Sequence, residues 1–156
     1  MSVFSLLAGS VRLAVRSYCR LSPLDAGKTQ LMFHCQRLVT PHREVVSLIS
    51  GGRFNVDLSD NIQRQIYFQR EYEPGITHLI RRTLASGDTF IDIGANTGYY
   101  TVIAGLIVGP EGRVHSFEPI PDLFQDLEEN SNLNSLSNVD LNRAALQDSE
   151  GEVEIH

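Results

Sequence analysis

Residues 89–98 read TFIDIGANTG, a short apolar run that leads directly into a turn with two glycines. The run predicts a β-strand over 89–93, and the nearly all-apolar stretch Tyr99–Val108 predicts a helix buried against a sheet. Gly94 and Gly98 allow the backbone of the turn to approach a ligand closely and to adopt positive φ. Ligands of open α/β sheets bind beyond the carboxyl ends of the strands, so this turn is the first candidate site.

The segments after the turn alternate between strand patterns and helix patterns. Val114–Phe117 predicts a second strand, Pro121 begins another helix, Val139–Leu146 predicts a third strand, and Glu152–Ile155 forms a fourth run. This order is typical of a parallel α/β sheet. We expect three parallel strands, with the strand at 89–93 in the centre, crossed by two helices.

The segments before the turn predict a lead-in to that sheet. The runs Glu44–Ser50 and Arg53–Leu58, on either side of Gly51-Gly52, predict a β-hairpin with a two-residue turn. Asn61–Phe68 predicts a short helix. A further amphipathic helix begins at Pro74, and its predicted inward residues are Ile76, Leu79, Ile80, Thr83 and Leu84.

The N-terminal segment has a distinctive charge pattern. The first 24 residues contain no acid, and Arg12, Arg16 and Arg20 lie four residues apart on one side of a predicted helix. A packed helix, a helix in weak contact with a membrane surface and a targeting signal all fit this pattern.

The predicted elements divide the chain into three parts. These are a helical or irregular segment (1–43), a hairpin and helix lead-in (44–87) and the first part of a cofactor-binding domain (88–156).

Composition excludes several classes of protein. The chain has 13 Lys+Arg and 19 Asp+Glu, a net charge of −6, and this acidity disfavours nucleic acid as a partner. No run of 18 apolar residues predicts a transmembrane helix. Cys19 and Cys35 form neither a disulfide framework nor a zinc motif, and the histidines lack paired spacing, so no metal is expected. Few cysteines suit a reducing cytoplasmic location.

Two carboxylates indicate the chemistry of the ligand. Asp92 lies two residues before Gly94, where it would repel a pyrophosphate but attract a sulfonium or an ammonium. S-adenosylmethionine carries both of these cations. Glu118 ends the next strand, where a carboxylate accepts hydrogen bonds from ribose hydroxyls. Ribose recognition suits NAD and S-adenosylmethionine alike, so an NAD-dependent enzyme remains the alternative, disfavoured by Asp92 and by the missing middle glycine of the dinucleotide motif.

Together these motifs resemble those of the FkbM-type S-adenosylmethionine-dependent methyltransferases. The resemblance rests on residues 90–101 and 114–119, supported by the lead-in at 65–74, by the Ala144–Asp148 segment and by the spacing of the Leu and Asn residues at 127, 130, 133 and 134. It covers about residues 50–156 of the chain.

The resemblance implies a Rossmann-like class I methyltransferase sheet and methyl transfer to a hydroxyl oxygen of a sugar or small molecule, so the expected partner is a small-molecule or glycan acceptor. It implies that Asp92 and the turn residues hold the methionine part of S-adenosylmethionine, that Glu118 holds its ribose and that Ala144 borders its adenine. The turn residues are Gly94, Ala95, Asn96, Thr97 and Gly98.

The resemblance also implies that further strands follow in similar proteins, and that these shape the acceptor pocket and supply any general base. Because this sequence stops at His156, we expect a sheet truncated after about the third or fourth strand. We expect such a chain to be marginally stable and without turnover. A cofactor-binding but catalytically incomplete fragment is therefore a second alternative.

Overall fold

The structure is a computed structural model that describes residues 3–22, 27–28, 31, 42–149 and 151. Its elements are α1 (Val3–Leu21), β1 (Arg43–Ser47), β2 (Arg53–Asp57), α2 (Asn61–Gln69), α3 (Pro74–Thr83), β3 (Thr89–Ile93), α4 (Tyr99–Val108), β4 (Arg113–Phe117), α5 (Pro121–Leu133) and β5 (Val139–Asn142). They form two compact units. The first comprises the described residues of 1–49 and 56–72, and the second comprises those of 50–55 and 73–156.

In the first unit, helix α1 packs through its arginine-bearing side. Arg16 donates to Oε1 of Glu44 at 2.9 Å and lies over the ring of Tyr67, 4.6 Å from its centroid. Arg20 donates to the carbonyl of Tyr67 at 2.9 Å and so satisfies the last turn of α2. The arginines therefore face protein groups, as the packed-helix alternative expects, and weak membrane contact by residues 1–24 stays a prediction. Among the described residues, no helix has the length and apolarity needed to span a bilayer.

Strands β1 and β2 form a two-stranded sheet, but the connection between them is longer than predicted. Strand β1 ends at Ser47, and the N–H of Ile49 donates to the carbonyl of Arg70 at 3.0 Å. Ile49 is therefore bonded to Arg70 and is not part of β1, so the connection between the two strands begins before the glycine pair. Gly51 and Gly52 both adopt positive φ, at 96° and 82°, so the turn residues themselves were identified correctly.

The second unit is built on a three-stranded parallel sheet in the order β3-β4-β5. Helix α4 is buried along most of its length, and its Ala104 and Val108 pack with Val114 of β4 and with the partly buried Phe90 of β3. The parallel pairing and the crossing helices confirm the predicted α/β fold. Side chains alternate across a strand, so Ile91 and Ile93 lie on the opposite face, where they are exposed.

The strand order differs from the prediction. Strand β3 lies at one edge of the sheet and β4 lies in the centre. The expected central position of β3 requires a strand on its far side, and the described residues place none there. The third strand also ends early, at Asn142 instead of Leu146. The predicted fourth run, Glu152–Ile155, lies outside the described residues.

Helix α3 contacts the rest of its unit through a narrower stripe than its sequence predicts. Thr77 and Ile80 are buried, whereas Ile76 and Leu79 are 45% and 60% exposed. The hydroxyl of Thr77 lies 3.4 Å from that of Tyr99 on α4. This polar contact fixes the rotation of α3 about its axis, and three of the five predicted inward residues, Ile76, Leu79 and Thr83, are exposed.

Candidate functional site

The candidate site lies where β3 and β4 end side by side. Their register places Asp92 opposite Ser116 and Ile93 opposite Phe117. Immediately beyond, the N–H groups of Gly94 and Ala95 both donate to the carbonyl of Phe117 at 2.9 Å. The turn between β3 and α4 is therefore attached to the carboxyl end of β4, as expected for the ligand-binding edge of a parallel sheet.

Asp92 is a buried carboxylate held by a hydroxyl group. It is 8% exposed, and its Oδ2 accepts from Oγ1 of Thr101 at 2.6 Å. Burial raises the pKa of Asp92 above its ordinary value, and the like charge of Glu118 acts in the same direction, while the Thr101 bond opposes both. The ionised form of Asp92 is therefore less favourable than that of an exposed aspartate. A cation bound nearby would stabilise the ionised form.

Glu118 is the second buried carboxylate, at 4% exposure. Its Oε2 accepts from the N–H of Asn96 at 2.8 Å, and its Oε1 accepts from the N–H of Ile120 at 3.0 Å. A carboxylate has about four lone-pair positions, so these two bonds leave capacity for a ligand's hydroxyl groups. Glu118 thus connects the end of β4 to the turn and still carries acceptor sites.

The turn is not built as a phosphate cradle. The N–H groups of Asn96, Thr97 and Gly98 donate to Glu118, to the Asn96 side chain and to the carbonyl of Ala95, at 2.8, 2.7 and 2.9 Å. With Gly94 and Ala95 bonded to Phe117, every N–H of the turn has a protein acceptor. A pyrophosphate needs such donors free, and it would also face two buried carboxylates. A ligand with a cationic centre and ribose hydroxyls fits this donor and acceptor set, as S-adenosylmethionine does.

The two glycines of the turn have different environments. Gly98 has φ of +88°, and a Cβ added to it would lie 2.6 Å from Cδ1 of Leu127 on α5. Gly94 has φ of +73°, and a Cβ there would meet nothing within 4 Å. Gly98 therefore allows α5 to pack against the turn, whereas the space beside Gly94 is open to a ligand.

Three polar residues that contact the site were missed by the sequence analysis as functional. Thr101 bonds Asp92, and Ser116 lies 2.7 Å from Thr101. The buried Asn130 donates to the carbonyl of Thr97 at 2.8 Å, and its Oδ1 accepts from the N–H of Asn55 at 2.7 Å. The sequence does single out both hydroxyl residues. Thr101 is a small polar residue in an otherwise apolar helix segment that begins with two tyrosines, and Ser116 lies two residues before Glu118.

The remaining predicted site residues lie along the same edge. Ala95 and Thr97 are buried in the turn, Asn96 is exposed with φ of 53°, and Ala144 is exposed two residues after β5. The N–H of Ala144 donates to the carbonyl of Asn142 at 3.0 Å. Within the part of the chain that the structure describes, no group of three or more His, Cys, Asp or Glu side chains forms a potential metal site.

Comparison with known proteins identifies the family. The family model of protein-L-isoaspartate(D-aspartate) O-methyltransferase (PCMT) matches residues 57–148, which is more than half of the chain. The chain is similar to a protein-L-isoaspartate O-methyltransferase of Fervidobacterium nodosum, with 34% identity over 36% of this chain and 28% of that protein. A probable cobalt-precorrin-6B C(15)-methyltransferase (decarboxylating) of Sulfurisphaera tokodaii is 41% identical over 39% of this chain and 32% of that protein.

Among solved structures, the fold is similar to that of M. jannaschii TYW2 in complex with AdoMet, with a TM-score of 0.50, 21% identity and coverage of 67% of this chain and 45% of that one. The matched part of this chain spans about a third of the length of the curated relatives. The Rossmann-like methyltransferase sheet and S-adenosylmethionine as the cofactor of this fold were both predicted, and both are confirmed.

The predicted family is wrong, and so is the acceptor that it implied. The matching model and the relatives with the same name are isoaspartate O-methyltransferases, not FkbM-type enzymes, so the expected sugar or small-molecule hydroxyl acceptor loses its basis. The FkbM resemblance rested mainly on residues 90–101 and 114–119, which contain the predicted cofactor-binding residues. Residues that serve a cofactor are shared among families with different acceptors. This chain belongs to the protein-L-isoaspartate(D-aspartate) O-methyltransferase family.

Proposed function

We propose that the chain binds S-adenosylmethionine at the carboxyl end of its parallel sheet and takes part in methyl transfer to a carboxylate oxygen of a protein or peptide. The observation that carries this proposal is the pair of buried carboxylates, Asp92 and Glu118, beside a turn whose N–H groups are all bonded within the protein. Family membership supports the acceptor class, because the family is named for isoaspartate O-methylation.

Each site residue has a proposed role. Asp92 attracts the ammonium of the methionine part, and the open space at Gly94 admits this part against the backbone. Ala95, Asn96, Thr97 and Gly98 complete the wall of the methionine site. Glu118 accepts bonds from the ribose hydroxyls with its remaining lone pairs.

The predicted contact of Ala144 with adenine stays part of this proposal. Its exposed position just beyond β5 agrees with a border role. We also propose a cytoplasmic location, with which the low cysteine content of the sequence agrees.

When bound, S-adenosylmethionine supplies a methyl group on a cationic sulfur, which is an activated leaving group. The protein's task is then to hold the cofactor and to exclude water. A carboxylate acceptor is ionised at neutral pH, because its pKa is about 4, and therefore needs no general base. A hydroxyl acceptor would need one. The proposed acceptor thus demands less of the protein than the one expected from the FkbM resemblance.

The ribose role of Glu118 is tested by calorimetry with S-adenosylhomocysteine and its 2′-deoxyribose analogue. For the unmodified chain, we expect binding of S-adenosylhomocysteine, no binding of NAD and weaker binding of the deoxy analogue. Glu118→Ala should weaken S-adenosylhomocysteine binding by about 10- to 100-fold, as for loss of a bond to a charged group. It should also abolish the difference in affinity between the two ligands, because the 2′-hydroxyl would have lost its acceptor. If Glu118 were only structural, its loss would weaken both ligands equally and the difference would remain.

The acceptor class is tested by transfer of a labelled methyl group from S-adenosylmethionine to a peptide that contains isoaspartate. The matched control is the same peptide with ordinary aspartate. Any label that is transferred should be base-labile and confined to the isoaspartyl peptide, since methyl esters hydrolyse in base. Binding of S-adenosylhomocysteine without labelling of either peptide would favour a cofactor-binding chain that lacks catalytic parts. Binding of NAD in its place would overturn the proposal.

A further inference from the structure

Three side chains from three different elements meet beneath the candidate site. Asp92 comes from β3, Thr101 from α4 and Ser116 from β4. Oγ1 of Thr101 lies 2.6 Å from Oδ2 of Asp92 and 2.7 Å from Oγ of Ser116. Thr101 and Ser116 are both fully buried, at 0% exposure. Buried hydroxyls are costly unless they are bonded, and an apolar residue such as Val or Ala would fill these positions without that cost.

The protons of this chain of groups have one arrangement when Asp92 is ionised. A carboxylate only accepts, so the Thr101 hydroxyl must donate to Asp92. Thr101 has a single proton, so Ser116 must donate to Thr101. Each hydroxyl is then oriented by the next, and such chains strengthen one another in a low-dielectric interior. Oδ2 of Asp92 is held in place by this bond.

The charged groups around Asp92 do not supply a substitute for the hydroxyls. Glu118 at the end of β4 is the charge that acts on Asp92, and it has the same sign. Helix α4 carries no charged residue. On β4, the ring of His115 lies 3.3 Å from Oδ2 of Asp140, and just before α3 the carboxylate of Glu73 accepts from Tyr100 at 2.6 Å. The hydroxyl and the backbone N–H of Thr101 thus both favour the ionised form of Asp92, and the hydroxyl has the larger effect.

We propose that Thr101 and Ser116 are positioning residues, which hold the carboxylate of Asp92 ionised and oriented toward the ammonium group of the cofactor. This inference rests on the proposed function. It adds that the hydroxyls of Thr101 and Ser116 control the charge of Asp92 in the same site. Thr101 acts directly on Asp92, and Ser116 acts through Thr101. Removal of either hydroxyl should therefore shift the pH at which Asp92 becomes charged toward higher values, and Thr101 should have the larger effect.

The test measures dissociation constants across a pH series with two ligands. S-adenosylhomocysteine carries the ammonium, whereas 5′-methylthioadenosine has the nucleoside without the amino acid. For the unmodified chain, affinity for S-adenosylhomocysteine should fall as pH falls and Asp92 is protonated. Thr101→Val should move that midpoint to higher pH and weaken binding at neutral pH by about tenfold or more. Thr101→Ser should restore both, and 5′-methylthioadenosine should be unaffected throughout.

The outcomes separate this inference from the proposed function. An unmodified chain that binds neither nucleoside overturns the proposed function. If both ligands bind to it equally well at every pH, the inference fails together with the ammonium role of Asp92, while binding of the cofactor's nucleoside part survives. A folded Thr101→Val with an unchanged pH midpoint also rejects the positioning role. Should Thr101→Val not fold, Ser116→Ala decides the question, because an unshifted midpoint in that variant contradicts the proposal while a raised one supports it.

Discussion

At the scale of single residues, the candidate site depends on groups that face away from the ligand. Asn130 bonds both the carbonyl of Thr97 and the N–H of Asn55, and Leu127 fills the space beside Gly98. Sequence reasoning singled out Asp92 and Glu118 as candidates because the position of a carboxylate at a strand end has a direct chemical meaning. It could not assign Asn130, because an asparagine in a helix has no fixed partner until the packing of that helix is known.

The first prediction concerns the two glycines of the turn. Gly98→Ala places a Cβ against Leu127 and forces a non-glycine residue to φ of +88°, whereas Gly94→Ala meets only the φ cost, at +73°. Left-handed backbone costs about 1–2 kcal/mol, and overpacking adds about 1–3 kcal/mol. Urea denaturation should therefore show that Gly98→Ala lowers the free energy of unfolding by about 2–5 kcal/mol, clearly more than its control Gly94→Ala. Equal losses in the two variants would contradict the packing role of Gly98.

At the scale of elements, most helices and strands were predictable, but their relations were less so. Strands β3 and β4 and helix α4 follow from local apolar patterns and lie within a residue of the predicted bounds. The position of β3 in the sheet depends on which strands pair with it, and that is a non-local property. The rotation of α3 was likewise fixed by a contact between Thr77 and Tyr99, which no periodicity contains.

Helix α1 shows how one pattern has several physical solutions. Arginines at every fourth position suit a membrane surface as well as a protein surface with acceptors and an aromatic ring. The structure gives Arg16 the carboxylate of Glu44, the hydroxyl of Tyr67 at 3.1 Å and the face of its ring. These partners are distant in sequence, so the arginine pattern alone could not select among the alternatives.

The second prediction tests the packing of α1 in the first unit. Arg16→Met should lower the free energy of unfolding by about 1–2 kcal/mol, because an exposed-to-partly-buried ion pair contributes up to about 1 kcal/mol and a cation–π contact about 0.5–1 kcal/mol. Arg82→Met, at an exposed position on α3, is the matched control and should change stability by less than about 0.5 kcal/mol. The measurement is urea denaturation at low and high salt. If Arg16→Met behaves like its control, α1 is not held by this residue.

At the scale of the whole molecule, the cofactor was predictable and the family was not. Asp92, the turn and Glu118 are proposed to bind a ligand that many methyltransferases share, so they indicate the ligand better than the acceptor. The acceptor is selected by other surfaces, and the quoted motifs contain little of them. The family assignment came from similarity over residues 57–148 as a whole, not from those motifs.

The third prediction follows from the raised pKa of Asp92. The ionised carboxylate lowers the stability of the fold but is the form that binds the cofactor's ammonium in our proposal. For an acid whose pKa is higher in the folded state, the protonated form is favoured by folding. The ionised form of the buried carboxyl therefore destabilises the fold. This destabilisation is absent below the ordinary pKa, grows as pH rises toward the raised pKa and is complete above it. Ligand binding has the opposite dependence, because the ammonium attracts only the ionised carboxylate.

Asp92→Asn should therefore raise the thermal midpoint of the ligand-free chain at neutral pH by a few degrees, since Asn removes the buried charge and keeps an oxygen that accepts from Thr101. The same variant should lose most of the increase in thermal midpoint that S-adenosylhomocysteine gives the unmodified chain, because that increase depends on affinity. Below the ordinary pKa of aspartate, the ligand-free stabilities of the two should converge. Scanning calorimetry with and without ligand at neutral and acid pH measures all three effects, with the exposed Asp122→Asn on α5 as the control. A ligand-free Asp92→Asn chain that is less stable than the unmodified one at neutral pH would show that the charge of Asp92 serves the fold itself.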